Sequence, residues 1–307
     1  MSVELYKKYR PKDFDEIIGQ EEAVSTLQSL VEQNKVPHTI LFSGPSGVGK
    51  TTLARILANK LHCSEHDCIE VNAADDRGID LVRDIRQLMN LAPIGGLVRV
   101  WVIDECHQLT AQAQESFLKI LEDTPKHVYF FLCSTDPQKL KKTIRTRCTE
   151  IALKEIPKQK LYQLVRRVYR TEYKKTLTDS VAKDIVEASE GSARKALVLL
   201  HQVAEIEDEE EQRKVIQRSD KKRQAVEIVR KLMDKKTSWK QLAEIIREVD
   251  EDPEQVRRMI LGYASKVALS GGYVAERACL ILDEFRDNWY DCGKAGLVIS
   301  CWRVLRG

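Results

Sequence analysis

The sequence predicts an α/β domain built on a parallel sheet, followed by a segment rich in helical patterns. The first observation is the segment 44–51, GPSGVGKT, which satisfies the phosphate-loop pattern G-x-x-x-x-G-K-[ST] between an apolar run at 39–42 and a helical pattern at 51–61. The second is that the segments after residue 157 show apolar residues at helical spacing. The third is a set of further β-rich runs, at 69–72, 98–103 and 128–133.

Composition places the chain among ordinary soluble proteins. It has 307 residues, 43% of them hydrophobic, and it shows neither a run of about 18 apolar residues nor an apolar segment behind its amino-terminal charges. The eight cysteines are scattered, which favours reduced thiols, and we expect a cytoplasmic protein without membrane contact; a nuclear or phage-infected-cell setting would leave the same pattern. Because 50 basic and 47 acidic residues nearly cancel, any nucleic-acid contact must depend on local patches.

The phosphate loop predicts that the chain binds ATP or GTP. Its glycines allow the backbone to turn N–H groups towards phosphates, and the positive end of the following helix faces the same point. Lys50 is expected to reach the β- and γ-phosphates, and Thr51 to bind Mg²⁺ beside the terminal phosphate. A chance match in a glycine-rich loop is the alternative, which the flanking strand and helix disfavour. The predicted nucleotide contacts of this loop are Gly44, Pro45, Ser46, Gly47, Val48, Gly49, Lys50, Thr51 and Thr52.

A pair of carboxylates follows the apolar run at 98–103. Asp104 and Glu105 stand at the carboxyl end of this predicted strand, which is the edge at which a phosphate loop also opens in an α/β sheet. Asp104 is expected to hold Mg²⁺, and Glu105 to orient and deprotonate the attacking water. His107 invites interpretation as a general base, but we interpret it as a histidine at a helix start that its neighbours satisfy.

The amino-terminal arm carries a resemblance to a known family. KYRP at 8–11, followed by IIGQ at 17–20, resembles the opening of the clamp-loader AAA+ ATPases, and DEC at 104–106 resembles their Walker B box. In that family the arm packs against adenine, which implies ATP as the nucleotide. A plain helix-capping arm is the alternative interpretation. The base pocket implied by the resemblance is Tyr9, Arg10, Pro11, Ile17 and Ile18.

The resemblance also implies catalytic residues outside these motifs. Thr135 follows the predicted strand 128–133 at the family's sensor 1 position, where it would bind the γ-phosphate or the attacking water; an ordinary strand-end hydroxyl is the alternative. TRC at 146–148 is similar to the family's Ser-Arg-Cys motif, with Thr in place of Ser, and implies that Arg147 acts on the ATP of a neighbouring subunit. GSAR at 191–194 matches the sensor 2 position, so Arg194 is expected to touch phosphates from the lid.

Two interaction surfaces are implied in the same way. The segment at 72–83, NAADDRGIDLVR, is similar to one that faces DNA in eukaryotic and archaeal small subunits. Arg77, Arg83 and Arg86 are therefore candidate phosphate contacts, with a solvated helix face as the alternative. Relatives grip their clamp with the region around 88–94, LMNLAPI, which is apolar here, although core packing would explain the same pattern.

Zinc is not expected. His62, Cys63, His66 and Cys68 are crowded into seven residues, a spacing that fits no known zinc knuckle, and we interpret them as a loop with incidental thiol and imidazole groups. Bacterial clamp-loader motor subunits carry a four-cysteine zinc insertion at about this point, which this chain lacks.

The resemblance extends over nearly the whole chain and implies three domains. These are an AAA+ RecA-like nucleotide-binding domain at 1–155, a small helical lid at 156–206 and a helical collar at 207–307. The collar, which FRDNWYD at 285–291 fits, would hold a ring of subunits together through helix faces.

The implied function is that of an ATPase subunit of a sliding-clamp loader, with ATP and Mg²⁺ as cofactors. Its expected partners are other loader subunits, the sliding clamp and primer–template DNA. Two other functions remain. An AAA+ DNA motor such as a branch-migration helicase is disfavoured by the collar-like carboxyl-terminal part. A non-hydrolysing scaffold subunit is disfavoured by the intact Lys50, Thr51, Asp104 and Glu105.

Overall fold

The chain forms two compact units, Met1–Gln212 and Arg213–Gly307. The structure, a computed structural model, describes residues 4–218, 221–234, 237–247, 249, 252–271, 274–289 and 292–306. Residues 290 and 291 of the segment predicted to fit a collar lie outside the described residues. None of the described helices is long and apolar enough to cross a bilayer.

The first unit is built on a five-stranded parallel sheet in the order β2-β3-β4-β1-β5. Strand β1, which lies between β4 and β5, is buried along its whole length because its apolar residues face helices on both sides of the sheet. The strands are β1 (Thr39–Ser43), β2 (Cys68–Asn72), β3 (Arg99–Asp104), β4 (Val128–Ser134) and β5 (Thr149–Ala152). The first four lie within about a residue of their predicted bounds, and β5 was not predicted.

Helices cover both faces of this sheet. One face packs against a core that includes Leu27, Leu53 and Leu57, and the other against a core that includes Ile85 and Phe117. Thr110 fixes the start of one of these helices, because its hydroxyl accepts a hydrogen bond from the N–H of Ala113. The helices are α1 (Leu5–Lys8), α2 (Glu21–Glu32), α3 (Lys50–Lys60), α4 (Ile79–Leu88), α5 (Ala111–Glu122) and α6 (Lys142–Arg145).

A small helical group follows the sheet within the same unit. It consists of α7 (Lys158–Tyr173), α8 (Asp179–Ala188) and α9 (Ala193–Val203), which bury Val165, Ile185 and Leu200. This is the region that the sequence predicts to be a lid. The acidic run at 207–211, which reads as a solvated linker or helix rim, leads into α10 (Glu209–Arg218); there the buried Gln212 side chain donates to the carbonyl of Ile206 at 2.7 Å.

The second unit is a helical bundle with its own core. Ile228, Leu242, Ile260, Ile281 and Leu297 are fully buried in one cluster, which explains why each helix carries apolar residues on one face. The helices after α10 are α11 (Lys221–Met233), α12 (Trp239–Arg247), α13 (Pro253–Ser270), α14 (Ala275–Glu284) and α15 (Lys294–Arg306). The last was not predicted from the sequence.

Candidate nucleotide-binding site

Three loops meet at the carboxyl edge of the sheet. Because β4 lies between β1 and β3 and all three strands are parallel, the segments after them leave the sheet side by side. They are the phosphate loop after β1, Asp104 and Glu105 at the end of β3, and Thr135 after β4. Residues that lie up to about ninety positions apart in the chain are thus brought to one place.

The phosphate loop needs its glycines for conformation and for space. Gly44, Gly47 and Gly49 have φ values of 141°, 75° and 115°, in the region that side chains disfavour. A Cβ on Gly44 would lie 2.3 Å from the carbonyl oxygen of Leu153, and one on Gly47 would lie 2.1 Å from Ser192 Oγ. The second contact shows that the loop packs directly against the start of α9. Helix α3 begins at Lys50, so its free N–H groups face the loop.

Lys50 is buried within this loop. Its ammonium group donates to the carbonyls of Gly44 at 2.9 Å and Pro45 at 2.8 Å. Burial lowers the pKa of Lys50, and the nearby carboxylates of Glu105 and Asp104 oppose that shift. The arrangement provides one cation and several backbone donors at the same point, which suits a polyphosphate.

Thr51 and Asp104 offer the oxygen ligands that Mg²⁺ prefers. The Thr51 hydroxyl donates to Asp104 Oδ2 at 2.9 Å, so the two side chains already share one site. Among the described residues no three His, Cys, Asp or Glu side chains are grouped to hold a metal ion, and this includes the loop 62–68 that the sequence singled out. A magnesium ion here would depend on phosphate oxygens for further ligands, as is usual for nucleotide sites.

Glu105 has a constrained backbone and a fixed side chain. Its φ of 47° is unusual for a residue other than glycine, and its N–H donates to Asp104 Oδ1 at 3.0 Å. The Thr135 hydroxyl donates to Glu105 Oε2 at 2.9 Å, and His107 Nδ1 lies 3.3 Å from the same oxygen. Burial lowers the pKa of His107. The structure therefore brings the predicted sensor 1 threonine to the predicted catalytic carboxylate.

A cavity of about 890 Å³ opens next to these groups. Its walls include the phosphate loop from Ser46 to Thr52, Asp104 and Glu105, and all five residues of the predicted base pocket. Twelve wall residues were not predicted as site residues, because nothing local in the sequence shows which side chains will line a cavity once the elements pack together. They are Tyr6, Lys7, Lys8, Lys12, Glu16, Arg55, Ile156, Leu164, Arg167, Thr171, Ala193 and Leu197.

The amino-terminal arm is tied to α7 across this cavity. Glu172 accepts hydrogen bonds from the Tyr9 hydroxyl and from the Lys8 ammonium group. Burial and the bond to Glu172 raise the pKa of Tyr9 to about 12. On the other side, Arg10 Nε donates to Thr52 Oγ1 at 3.3 Å, and burial lowers the pKa of Arg10. The arm therefore joins the phosphate-loop helix to the helical group after the sheet.

Arg194 also lies on the cavity wall. The N–H of Arg194 points to the carbonyl of Gly47 at 3.4 Å, and its guanidinium group lies 5.8 Å from the centre of the Tyr6 ring. Helix α9 begins just before it, where the Ser192 hydroxyl accepts a hydrogen bond from the N–H of Lys195. Arg194 therefore lies on the cavity wall next to the phosphate loop, where a bound nucleotide would be near its guanidinium group.

The remaining predicted arginines do not line the cavity. Arg147 donates to the carbonyl of Thr143 at 3.0 Å and pairs with Glu122 at the end of α5. Arg77 donates to the carbonyl of Ala74 at 2.8 Å, and Arg83 pairs with Asp80 at 2.7 Å. Arg83 and Arg86 are exposed on one face of α4.

A second feature of this unit is a rigid apolar loop between α4 and β3, residues 91–97. Asp67 accepts hydrogen bonds from the N–H groups of residues 94–96 and pairs with the buried Arg99, which also donates to three carbonyls at 88–92. Burial alone would raise the pKa of Asp67, but bonds from the Ser64 hydroxyl and these N–H groups lower it. The loop exposes Leu91, Ile94 and Leu97 (55%, 79% and 71% exposed), whereas Met89 belongs to the core.

Comparison with known proteins shows which proteins this chain resembles. The family profile described as DNA polymerase III, delta subunit, matches residues 19–77 and 67–157. The DNA polymerase III subunit tau of Bacillus subtilis is 36% identical over 220 residues, which cover 64% of this chain and 39% of the relative. Its counterpart in Escherichia coli is 33% identical over 219 residues, which cover 64% of this chain and 34% of the relative. The match therefore spans less than two fifths of these relatives.

Solved structures agree on the fold. A mutant of Thermotoga maritima RuvB gives a TM-score of 0.58 at 22% identity over 72% of this chain and 80% of that chain. The RuvB Holliday junction branch migration motor gives a TM-score of 0.53 at 21% identity over 85% of each chain. At this identity the likeness concerns the fold alone, and it agrees with the predicted RecA-like parallel sheet followed by helices. The chain is thus similar to the DNA polymerase III tau and gamma subunits, and this similarity supports the predicted resemblance to the clamp-loader AAA+ ATPases.

Proposed function

We propose that this chain is an ATP-hydrolysing subunit of a sliding-clamp loader. The observation that carries the proposal is the meeting of Lys50, the Thr51–Asp104 pair and the Thr135–Glu105 pair at one cavity, in a chain related to DNA polymerase III tau and gamma subunits. A non-hydrolysing scaffold would have no use for Glu105 held at this place.

Each group has a role that its position supports. Bound ATP with Mg²⁺ supplies the transferable phosphoryl group and its leaving group. Lys50 and the N–H groups of the loop hold the β- and γ-phosphates, and Thr51 with Asp104 offers the metal two oxygens. Glu105 takes a proton from the attacking water, and Thr135 holds that carboxylate in place. The adenine of the nucleotide would lie between the amino-terminal arm on one side and helices α7 and α9 on the other. Ile17, Ile18 and Leu197 offer it apolar contact there.

The proposed partners follow from surfaces outside the cavity. In the loader, the Arg147 of each subunit would act on the ATP bound by the neighbouring subunit. The helical second unit would act as the collar that joins the subunits. Primer–template DNA would contact Arg77, Arg83 and Arg86 through its phosphates. The clamp would contact the loop 91–97, because its exposed apolar side chains are held on a backbone that Asp67 and Arg99 fix in advance.

The test measures ATP hydrolysis by the full chain assembled with its co-purifying subunits. The expected result is turnover that primed DNA and the clamp both stimulate, without displacement of an annealed strand. Processive strand displacement would indicate a DNA motor of another kind. ATP binding without any hydrolysis would indicate the scaffold function and overturn the proposal.

A further inference from the structure

His107 is fixed on three sides beside the predicted catalytic carboxylate. It lies in the short 3-10 turn Cys106–Gln108 that follows Glu105, and its side chain is only 6% exposed. Its Nδ1 atom is 3.3 Å from Glu105 Oε2 and 3.2 Å from Ser134 Oγ. Its Nε2 atom is 3.1 Å from Gln108 Nε2.

These contacts favour the ring tautomer that carries its proton on Nδ1. The side-chain nitrogen of Gln108 donates, which suits His107 Nε2 as the acceptor. In the neutral ring the proton then sits on Nδ1, where it faces the carboxylate of Glu105 and the hydroxyl of Ser134. Ser134 Oγ in turn accepts from the N–H of Asp136 at 3.1 Å, which holds this hydroxyl in place.

We propose that His107 is a positioning residue, whose Nδ1 side attracts Glu105 Oε2 and so aims the other carboxylate oxygen at the attacking water. Within the described part of the chain, the side-chain contacts of Glu105 from Thr135 and His107 both fall on Oε2. One hydrogen bond and one close polar contact on the same oxygen hold the carboxylate and leave Oε1 to accept the proton of water.

The strand next to β3 offers no substitute. Asn72 is in register with Asp104 at the end of β2, but its amide donates to Asp75 and its oxygen accepts from the N–H of Ala74 at 3.1 Å. The orientation of Glu105 therefore depends on Thr135 and His107, which come from β4 and from the turn after Glu105 itself.

The inference rests on the proposed ATPase function, and the test compares three substitutions in the assembled protein. In His107→Asn the side-chain nitrogen takes the place of Nδ1, whereas in His107→Gln it takes the place of Nε2, and His107→Leu has no donor. We expect the Leu and Gln variants to lose about 10- to 100-fold in kcat, the Asn variant to recover most of it, and ATP Kd to change less than about twofold in all three.

Two controls separate positioning from a general structural effect. His66→Asn, at an exposed histidine in the loop before β2, should leave kcat and Kd unchanged. In a Glu105→Gln background, His107→Leu should cause no further loss, because the carboxylate that it orients is gone. Equal kcat in wild type and His107→Leu, equal loss in the Asn and Gln variants, or a full additional loss in the Glu105→Gln background would each overturn the inference. A wild type that binds ATP but never hydrolyses it would instead overturn the proposed function, and this inference with it.

Discussion

Lys50 and Glu105 act on different steps, so substitutions of the two should separate binding from hydrolysis. Lys50 is buried within the phosphate loop, and Lys50→Ala should abolish measurable ATP binding because no other cation replaces its charge there. Glu105→Gln preserves shape and should bind ATP normally, with kcat lowered by about 10²- to 10⁴-fold because only the base is lost. Calorimetric titration gives Kd, and phosphate release gives the turnover.

The matched control is Glu65→Gln, which removes a carboxylate from an exposed loop of the same unit. It should change neither quantity. Normal turnover in Glu105→Gln would refute the role given to this carboxylate, and retained nucleotide affinity in Lys50→Ala would refute that of the lysine.

Arg77, in the loop before α4, and Arg83, on α4, should affect how DNA affinity depends on salt. Each phosphate contact releases counterions, so Arg77→Ala or Arg83→Ala should reduce the slope of log affinity for primed DNA against log salt by about 1 unit. Arg83 already pairs with Asp80, but both side chains are exposed and water screens the ion pair. A DNA phosphate can therefore replace Asp80 as the partner of Arg83. Arg170→Ala, at an exposed position on α7, should leave the slope unchanged. If all three variants keep the wild-type slope, Arg77 and Arg83 belong to a solvated face.

The residues that the sequence predicts best are those that one short stretch of backbone brings together. The phosphate loop and the Asp104–Glu105 pair need only a strand, a turn and a helix start, and these are visible in short segments. The contacts of His107 with Ser134 and of Glu172 with Tyr9 join segments 27 and 163 positions apart. Such contacts depend on how elements pack, so the sequence alone could not reveal them.

The loop 91–97 is an element whose backbone is fixed while its apolar side chains are exposed. If it grips the clamp, Ile94→Asp should weaken clamp affinity about tenfold or more, since a charge would then have to be buried in the contact. The fold should be unaffected, because Ile94 is 79% exposed. Surface binding to the purified clamp measures the affinity, and circular dichroism measures the fold.

Leu269→Asp is the matched control for this loop. Leu269 is 88% exposed on the second unit, so its substitution should change neither clamp affinity nor fold. Met89→Asp is uninformative about the clamp, because Met89 is buried and the charge should unfold the first unit. Unchanged clamp affinity in Ile94→Asp would show that the loop is not the clamp contact.

The second unit contains a buried ion pair that should make its stability depend on pH. Glu254 accepts two bonds from Arg257 and one from the N–H of Trp289, and the Arg257 bonds, followed by that N–H, lower the pKa of Glu254 to about 2. A lowered pKa in the folded state adds stability above the ordinary value of 4.5, and that contribution is lost as pH falls from 4.5 towards about 2.

Glu254→Gln should therefore destabilise the second unit by about 3–5 kcal/mol at neutral pH, since it leaves the Arg257 charge buried without its partner. The variant should also lose the steep part of the acid dependence. Urea unfolding followed by tryptophan fluorescence at a series of pH values measures both. Asp283→Asn, at an exposed residue of α14, should cost less than about 0.5 kcal/mol, and equal effects of the two variants would contradict the prediction.

The elements that were not predicted lack the sequence pattern that would identify them as a strand or a helix. Strand β5 has four residues at the sheet edge, and only Ile151 is buried, so it shows no apolar run. Helix α10 begins with three glutamates, which read as solvated chain. Helix α15 contains Gly296, where a Cβ would lie 2.5 Å from the Trp289 ring. That glycine lowers helix propensity for the sake of a packing contact that the local sequence does not show.

At the scale of the whole molecule, Arg147 lies away from the cavity of its own chain. Arg147 lies after α6 and pairs with Glu122, and it is not among the residues that line the cavity. We propose that it reaches the ATP of a neighbouring subunit, where it would stabilise the charge that develops on the transferred phosphoryl group. Arginines that act in this way contribute about 10³- to 10⁵-fold in rate, so hydrolysis should require assembly.

Arg147→Ala should accordingly keep ATP affinity, which depends on Lys50 and Arg194, while the homogeneous assembly loses nearly all turnover. Lys142→Ala, at an exposed position of α6, is the matched control and should remain active. The decisive measurement mixes Arg147→Ala with Lys50→Ala subunits, each almost inactive alone. Wherever a subunit with an intact Lys50 lies next to one with an intact Arg147, a complete site forms, so activity should return and peak at intermediate mixing ratios. If mixed assemblies form and remain inactive, or if a verified monomer hydrolyses ATP at the rate of the assembly, Arg147 does not act in trans.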